Sequence, residues 1–104
     1  MTKDRKTALH LHALISRRPG ILDVQLGDDA VLASVESGRM SDLNATAAEI
    51  WRLLETPITF AALCDRLERD FAVARPQLEQ DVTAFLDHLQ AMEMIEVCAP
   101  DLRR

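Results

Sequence analysis

The sequence has no tyrosine, a single tryptophan and only three glycines, and these scarcities remove whole classes of function. It holds no glycine-rich phosphate loop, no serine nucleophile elbow, no HExxH pair and no CxxC pair, so phosphoryl transfer, serine hydrolysis and zinc peptidase chemistry have no carriers. No apolar run approaches the ~20 residues that cross a bilayer. The N-terminus, MTKDRKTALHLHALISRR, lacks the apolar core and small-residue cleavage site of a secretory signal. These absences predict a cytoplasmic chain with no membrane partner. Two cysteines, Cys64 on an apolar helical face and Cys98 near the end, make no disulfide framework and read as free thiols.

Basic residues are also short: 12 Lys and Arg stand against 17 Asp and Glu, a net charge of −5. Duplex binding draws affinity from cations on phosphates. The expected third helix, Pro76 to Met94, carries Glu79, Asp81, Asp87 and Glu93 without one Lys or Arg, and the second offsets Arg66 and Arg69 with Asp65, Glu68 and Asp70. Nucleic acid is therefore not an expected partner. His10 and His12 share one side of a strand if that segment is extended, but only His88 and distant carboxylates could complete a metal site. Solvent-facing polar residues are the reading for that pair, with no metal and no cofactor. Asp81 and His88 lie two turns apart on one helix side, ~10 Å by the helical rise, too far for a direct acid–base pair. No catalytic residue is expected, and the chain reads as a non-enzyme.

What is present is a single domain of 104 residues. Residues 1–19 form an N-terminal tail or accessory segment, in which Leu9 to Ile15 suits a strand or a short helix. Residues 20–98 form the domain proper and 99–104 a C-terminal tail. After the Pro19-Gly20 turn, Leu22, Val24 and Leu26 alternate with Asp23 and Gln25; Gly27-Asp28-Asp29 can turn, and Val31, Ala33 and Val35 alternate with Leu32, Ser34 and Glu36. That is a β-hairpin. Ser37-Gly38 turns again into a short third strand, Arg39 to Leu43. Three amphipathic helices follow. The first is capped by Asn44, stopped by Pro57 and apolar at Ala47, Ile50, Trp51 and Leu54; the second starts at Thr59 and ends by Phe71; the third has Pro76 in its first turn. A short strand at Ile95 to Cys98 can close the order. The predicted class is α+β, winged-helix-like, a three-stranded antiparallel sheet packed on a three-helix bundle.

The run GRMSDLNATAAEIWRLLETPITFAALCDRLERDF, followed by DVTAFLDHLQAMEMIEV, resembles the PqqD-like proteins, the recognition elements of ribosomally made, modified peptides. The likeness rests on Gly38-Arg39 through Leu43-Asn44, the helix from Ala47 to Leu54, the start of the second helix from Thr59 to Leu63, and Asp81 to Leu89 of the third. It covers roughly residues 20 to 98. Met40, Ser41 and Asp42 stand where the family often has aromatic residues or glycine, which leaves the peptide's side-chain preference open. The resemblance implies a module that binds the leader segment of a precursor peptide as an added strand and delivers it to modifying enzymes. Those are a leader peptidase and a cyclase in lasso-peptide assembly, the type this sequence is more similar to, or a radical enzyme in PQQ-type cofactor biosynthesis. It further implies a peptide site made of Arg39, Met40, Ser41, Asp42 and Leu43 on the third strand with Asp81, Val82, Ala84, Phe85 and His88 on the third helix. An acidic rim there would favour a leader carrying Lys or Arg. The alternatives are a winged-helix DNA-binding regulator and an oligomerisation module that exchanges its N-terminal segment; monomer and homodimer are both open.

Overall fold

The structure, a computed structural model, describes residues 12–98. The expectations for residues 1–11, including His10, and for residues 99–104 lie outside them. The element order is β1 (Leu14–Arg17), β2 (Ile21–Leu26), β3 (Asp29–Ser34), β4 (Met40–Leu43), α1 (Ala45–Leu53), β5 (Ile58–Thr59), α2 (Phe60–Asp70), α3 (Arg75–Ala91) and β6 (Ile95–Cys98). The α+β class, the hairpin, the third strand, the three helices and the closing strand are as the sequence predicts.

The hairpin turns on Gly27-Asp28, with Leu26 opposite Asp29. Gly27 has φ +66°, the left-handed value that a type II′ turn needs at its first central residue and that glycine takes without a Cβ clash. This turn fixes the register. β3 is the middle strand of β2-β3-β4, and Ala30, Leu32 and Ser34 are buried along its inner side. α1 packs against that side, placing Ile50, Trp51 and Leu54 in one core with Leu32 and Leu43. Leu22, Val24 and Leu26 lie on the opposite side, in water.

A second antiparallel sheet, β5-β1-β6, gathers three segments far apart in the chain. Leu14 and Ile15 pair with Thr59 and Ile58 on one side and with Cys98 and Val97 on the other. Of the segment compatible with strand or helix, Leu14 and Ile15 are strand, while His12 lies in a turn before it. Ile15 is fully buried, so residues 14–17 belong to the folded body.

The helix ends follow local chemistry. Asn44 Oδ1 accepts from Ala47 N–H at 2.9 Å and Thr59 Oγ1 from Ala62 N–H at 3.2 Å, each satisfying an orphan first-turn donor. α3 closes in a Schellman arrangement: Met94 N–H donates to Leu89 C=O and Glu93 N–H to Gln90 C=O, with Glu93 at φ +61° where glycine is usual. This turn lays β6 beside β1. Arg75 joins α2 to α3 through Asp65, Glu68 and Glu79 at 2.8–3.0 Å, and these three carboxylates hold its pKa above the ordinary value.

Cys64 is buried, and burial pushes its thiol up to about 11; Cys98 is exposed. Since the thiolate is the nucleophile, native protein treated with iodoacetamide near neutral pH should be alkylated at Cys98 alone, and at both positions after denaturation. Equal labelling of Cys64 in the native state would show that this part of the core opens freely.

Candidate functional site

β4 is an edge strand, and its hydrogen-bonding register can be read from the turn before it. Ser34 N–H donates to Arg39 C=O at 2.8 Å, while Val35 N–H donates to Gly20 C=O at 2.9 Å on the β2 side. In an antiparallel ladder successive residues alternate their backbone groups between the two neighbours. Ser41 and Leu43 therefore turn their N–H and C=O towards β3, Arg39 gives β3 only its C=O because its N–H donates to Ser37 Oγ at 3.2 Å, and Met40 and Asp42 turn theirs to the open edge. Side chains alternate too: Ser41 and Leu43 are buried, while Asp42 and Met40 are exposed.

α3 runs beside this strand. Ser41 Oγ lies 3.1 Å from His88 Nε2, and the Arg39 guanidinium donates to Ala91 C=O at 3.2 Å. These two contacts tie the inward side of β4 to the second half of α3. Towards the first half a groove of roughly 420 Å³ opens, walled on one side by Asn44, Ala47 and Ile50 and on the other by Asp81, Val82 and Phe85. Phe85 is half-buried and Val82 wholly buried, so Phe85 offers a surface to a ligand while Val82 backs it from the core. Asp81 is exposed at the rim, its Oδ1 accepting from Gln77 Nε2 at 2.9 Å. Asp81, Phe85 and His88 form a helical stripe, i, i+4, i+7. The elements can hold an extended apolar segment, by backbone bonds at the β4 edge and by side chains in the groove.

The sequence-derived set is thus mostly brought together. Arg39 and Ser41 anchor β4 to α3, Met40 and Asp42 carry the free backbone groups, Leu43 sits in the core, and Asp81, Val82 and Phe85 line the groove. Ala84 is placed elsewhere: it borders a shallow depression with Pro76, Gln80, Thr83 and Asp87. The periodicity missed the groove's far end, where Phe71 and Val73 close it. Its signal was the apolar trio Ala72-Val73-Ala74, unusual in an exposed connection.

A second cleft, of roughly 310 Å³, lies between the inner side of β2 and α1. Four of its charged side chains, Arg17, Asp23, Glu49 and Arg52, are already engaged, and Asp28 and Asp70 complete its lining. Asp23 Oδ2 accepts from Trp51 Nε1–H at 2.8 Å and lies 3.7 Å from Arg17, and Glu49 is bound by Arg52, whose hydrogen bonds hold its carboxyl below the ordinary value. Arg17 sits over the Trp51 ring, 4.3 Å from its centroid. The cleft is cross-linked framework. Among the described residues no cluster of His, Cys, Asp and Glu is suited to a metal ion.

A family model described as coenzyme PQQ synthesis protein D (PqqD) matches residues 29–95, from the start of β3 to the first residue of β6. No curated protein matches the sequence significantly. Two solved structures share its fold: TbiB1 in complex with the TbiA(beta) leader peptide, at 27% identity and TM-score 0.74 over 82% of this chain and 99% of that one; and lasso peptide synthetase B1 complexed with the leader peptide, at 29% identity and TM-score 0.69 over 79% and 96%.

Proposed function

The chain belongs to the family of coenzyme PQQ synthesis protein D, and on that footing we propose that it binds the leader segment of a ribosomally made precursor peptide as an added strand on β4 and delivers it to lasso-type modifying enzymes. The observation that carries this reading is the open edge at Met40 and Asp42, set beside an apolar groove with Phe85 in its wall and Asp81 at its rim. An edge strand presents donors and acceptors in register for a peptide, and the groove selects among side chains. The two solved relatives, both leader-peptide complexes and both matched over nearly their whole length, support the ligand class. The name of one, a lasso peptide synthetase component, favours a leader peptidase and a cyclase as the receiving enzymes over a radical enzyme. The module itself performs no chemistry; its contribution is capture and presentation in the cytoplasm. Among the described residues no helix is long and apolar enough to cross a membrane.

Fluorescence anisotropy with labelled leader peptides from the same gene neighbourhood tests the reading. Expected dissociation constants are nanomolar to micromolar, ~8–12 kcal/mol, with modest dependence on salt. No leader binding below ~100 μM would sink it. A binding activity for duplex DNA that collapses steeply with added salt and with Arg66→Ala and Arg69→Ala would move the function to phosphate contacts.

A further inference from the structure

The side of β2-β3-β4 turned away from the helices is apolar and uncovered. Leu22, Val24 and Leu26 are 59%, 55% and 57% exposed, and Met40 is 64% exposed. The register gathers them on one surface, with Leu22 and Met40 flanking Ala33 and Val24 beside Val31. A contiguous apolar face on a small domain marks a contact surface. Its charges have one sign. Asp29 and Asp42 point to this side and Glu36 sits in the adjoining turn, whereas Arg39 is turned under the sheet to Ala91 C=O. A second copy of a chain of net charge −5 would set acid against acid. A partner with an apolar patch ringed by Lys and Arg is complementary in both respects.

The face is also continuous with the proposed peptide edge. Met40 and Asp42 give their backbone groups to that edge and their side chains to this surface, so a strand added to β4 would widen the face by one row. A protein seated here holds the captured peptide at its own margin. We infer that the outer face of β2-β3-β4 is the docking surface for the enzyme that acts on the bound peptide, a partner that meets Leu22, Val24 and Met40 with an apolar patch and the surrounding aspartates with basic residues. This inference rests on the peptide-recognition reading for the partner's identity and on the exposed face for its place.

The test uses the full chain and a purified leader peptidase of transglutaminase-like type from the same gene neighbourhood. Leu22→Thr/Val24→Thr keeps strand propensity while removing apolar surface, and Asp29→Lys reverses a rim charge without touching the apolar row. Biolayer interferometry should show association weakened about tenfold or more in the double variant and severalfold in Asp29→Lys, with leader affinity unchanged by anisotropy. Peptidase cleavage of the delivered precursor should slow in parallel. Wild-type association and cleavage in both variants, with folding verified by circular dichroism, would overturn the inference. So would a wild-type dimer in sedimentation that the double variant disperses, since a second copy would then be the occupant. If the wild type binds no leader yet holds the peptidase through Leu22 and Val24, the recognition reading fails and the docking surface stands.

Discussion

Replacing Asp42 with proline is expected to weaken leader binding roughly tenfold to a hundredfold while the domain still folds. The Asp42 N–H faces the open edge, so its loss costs no bond to β3, and proline is tolerated in a strand where its nitrogen faces outward. A peptide carbonyl opposite is left without a donor, at about 1–3 kcal/mol, and the ring crowds the incoming strand. Met40→Pro should act in the same direction. Ser41→Pro differs: Ser41 faces β3, so the substitution removes a ladder bond within the sheet and disturbs the 3.1 Å contact to His88, and it should lower the melting temperature as well as the affinity. Anisotropy together with circular dichroism separates the two outcomes. If folded Asp42→Pro and Met40→Pro proteins bind leader as the wild type does, strand addition at this edge is wrong and the face of α3 is left as the site.

Trp51→Ala should cost about 3–5 kcal/mol of stability, the range for large aromatic deletions. Trp51 is 3% exposed, its indole N–H is held by Asp23, and Arg17 is stacked on its ring. Truncation opens a cavity between α1 and the sheet and strips Asp23 and Arg17 of their shared partner. At the usual sensitivity of a domain this size, the melting temperature should fall by roughly 15–30 °C. Trp51→Phe, which keeps an aromatic ring but loses the N–H, should lose a smaller part. Chemical denaturation followed by circular dichroism reads both. An unchanged Trp51→Ala transition with abolished leader binding would move Trp51 from the framework to the site.

Much of the candidate surface was written locally. The stripe Asp81, Phe85, His88 follows from helical period alone, and β4 was legible from the turn Ser37-Gly38 and the cap Asn44 that bracket it. Its hydrogen-bond phase was not. Whether Met40 or Ser41 offers its N–H outward depends on the Ser34–Arg39 pairing across the turn, and a shift of one residue would exchange them. The groove likewise needed the docking of α1 against α3, which brings Ile50, Phe71 and Val73 to the same opening from three separate segments.

The sequence by itself determined the helices, their caps and the hairpin turn, because each depends on residues within a few positions of one another. Only the tertiary structure decided which side of the hairpin is inside. Alternation in Leu22-Asp23-Val24-Gln25-Leu26 separates two faces but says nothing about which one the helices cover. Leu32 and Ala30 on β3 settle it by packing under α1, and the two-residue turn then carries Leu22, Val24 and Leu26 outward and Asp23 inward to Trp51. The second sheet is tertiary for the same reason: β1, β5 and β6 are each short, and none has a partner within its own stretch of chain. They become strands when the chain returns Ile58–Thr59 and Ile95–Cys98 to either side of β1, because burial of Ile15 and Ile95 and the ladder bonds repay the loop closure together.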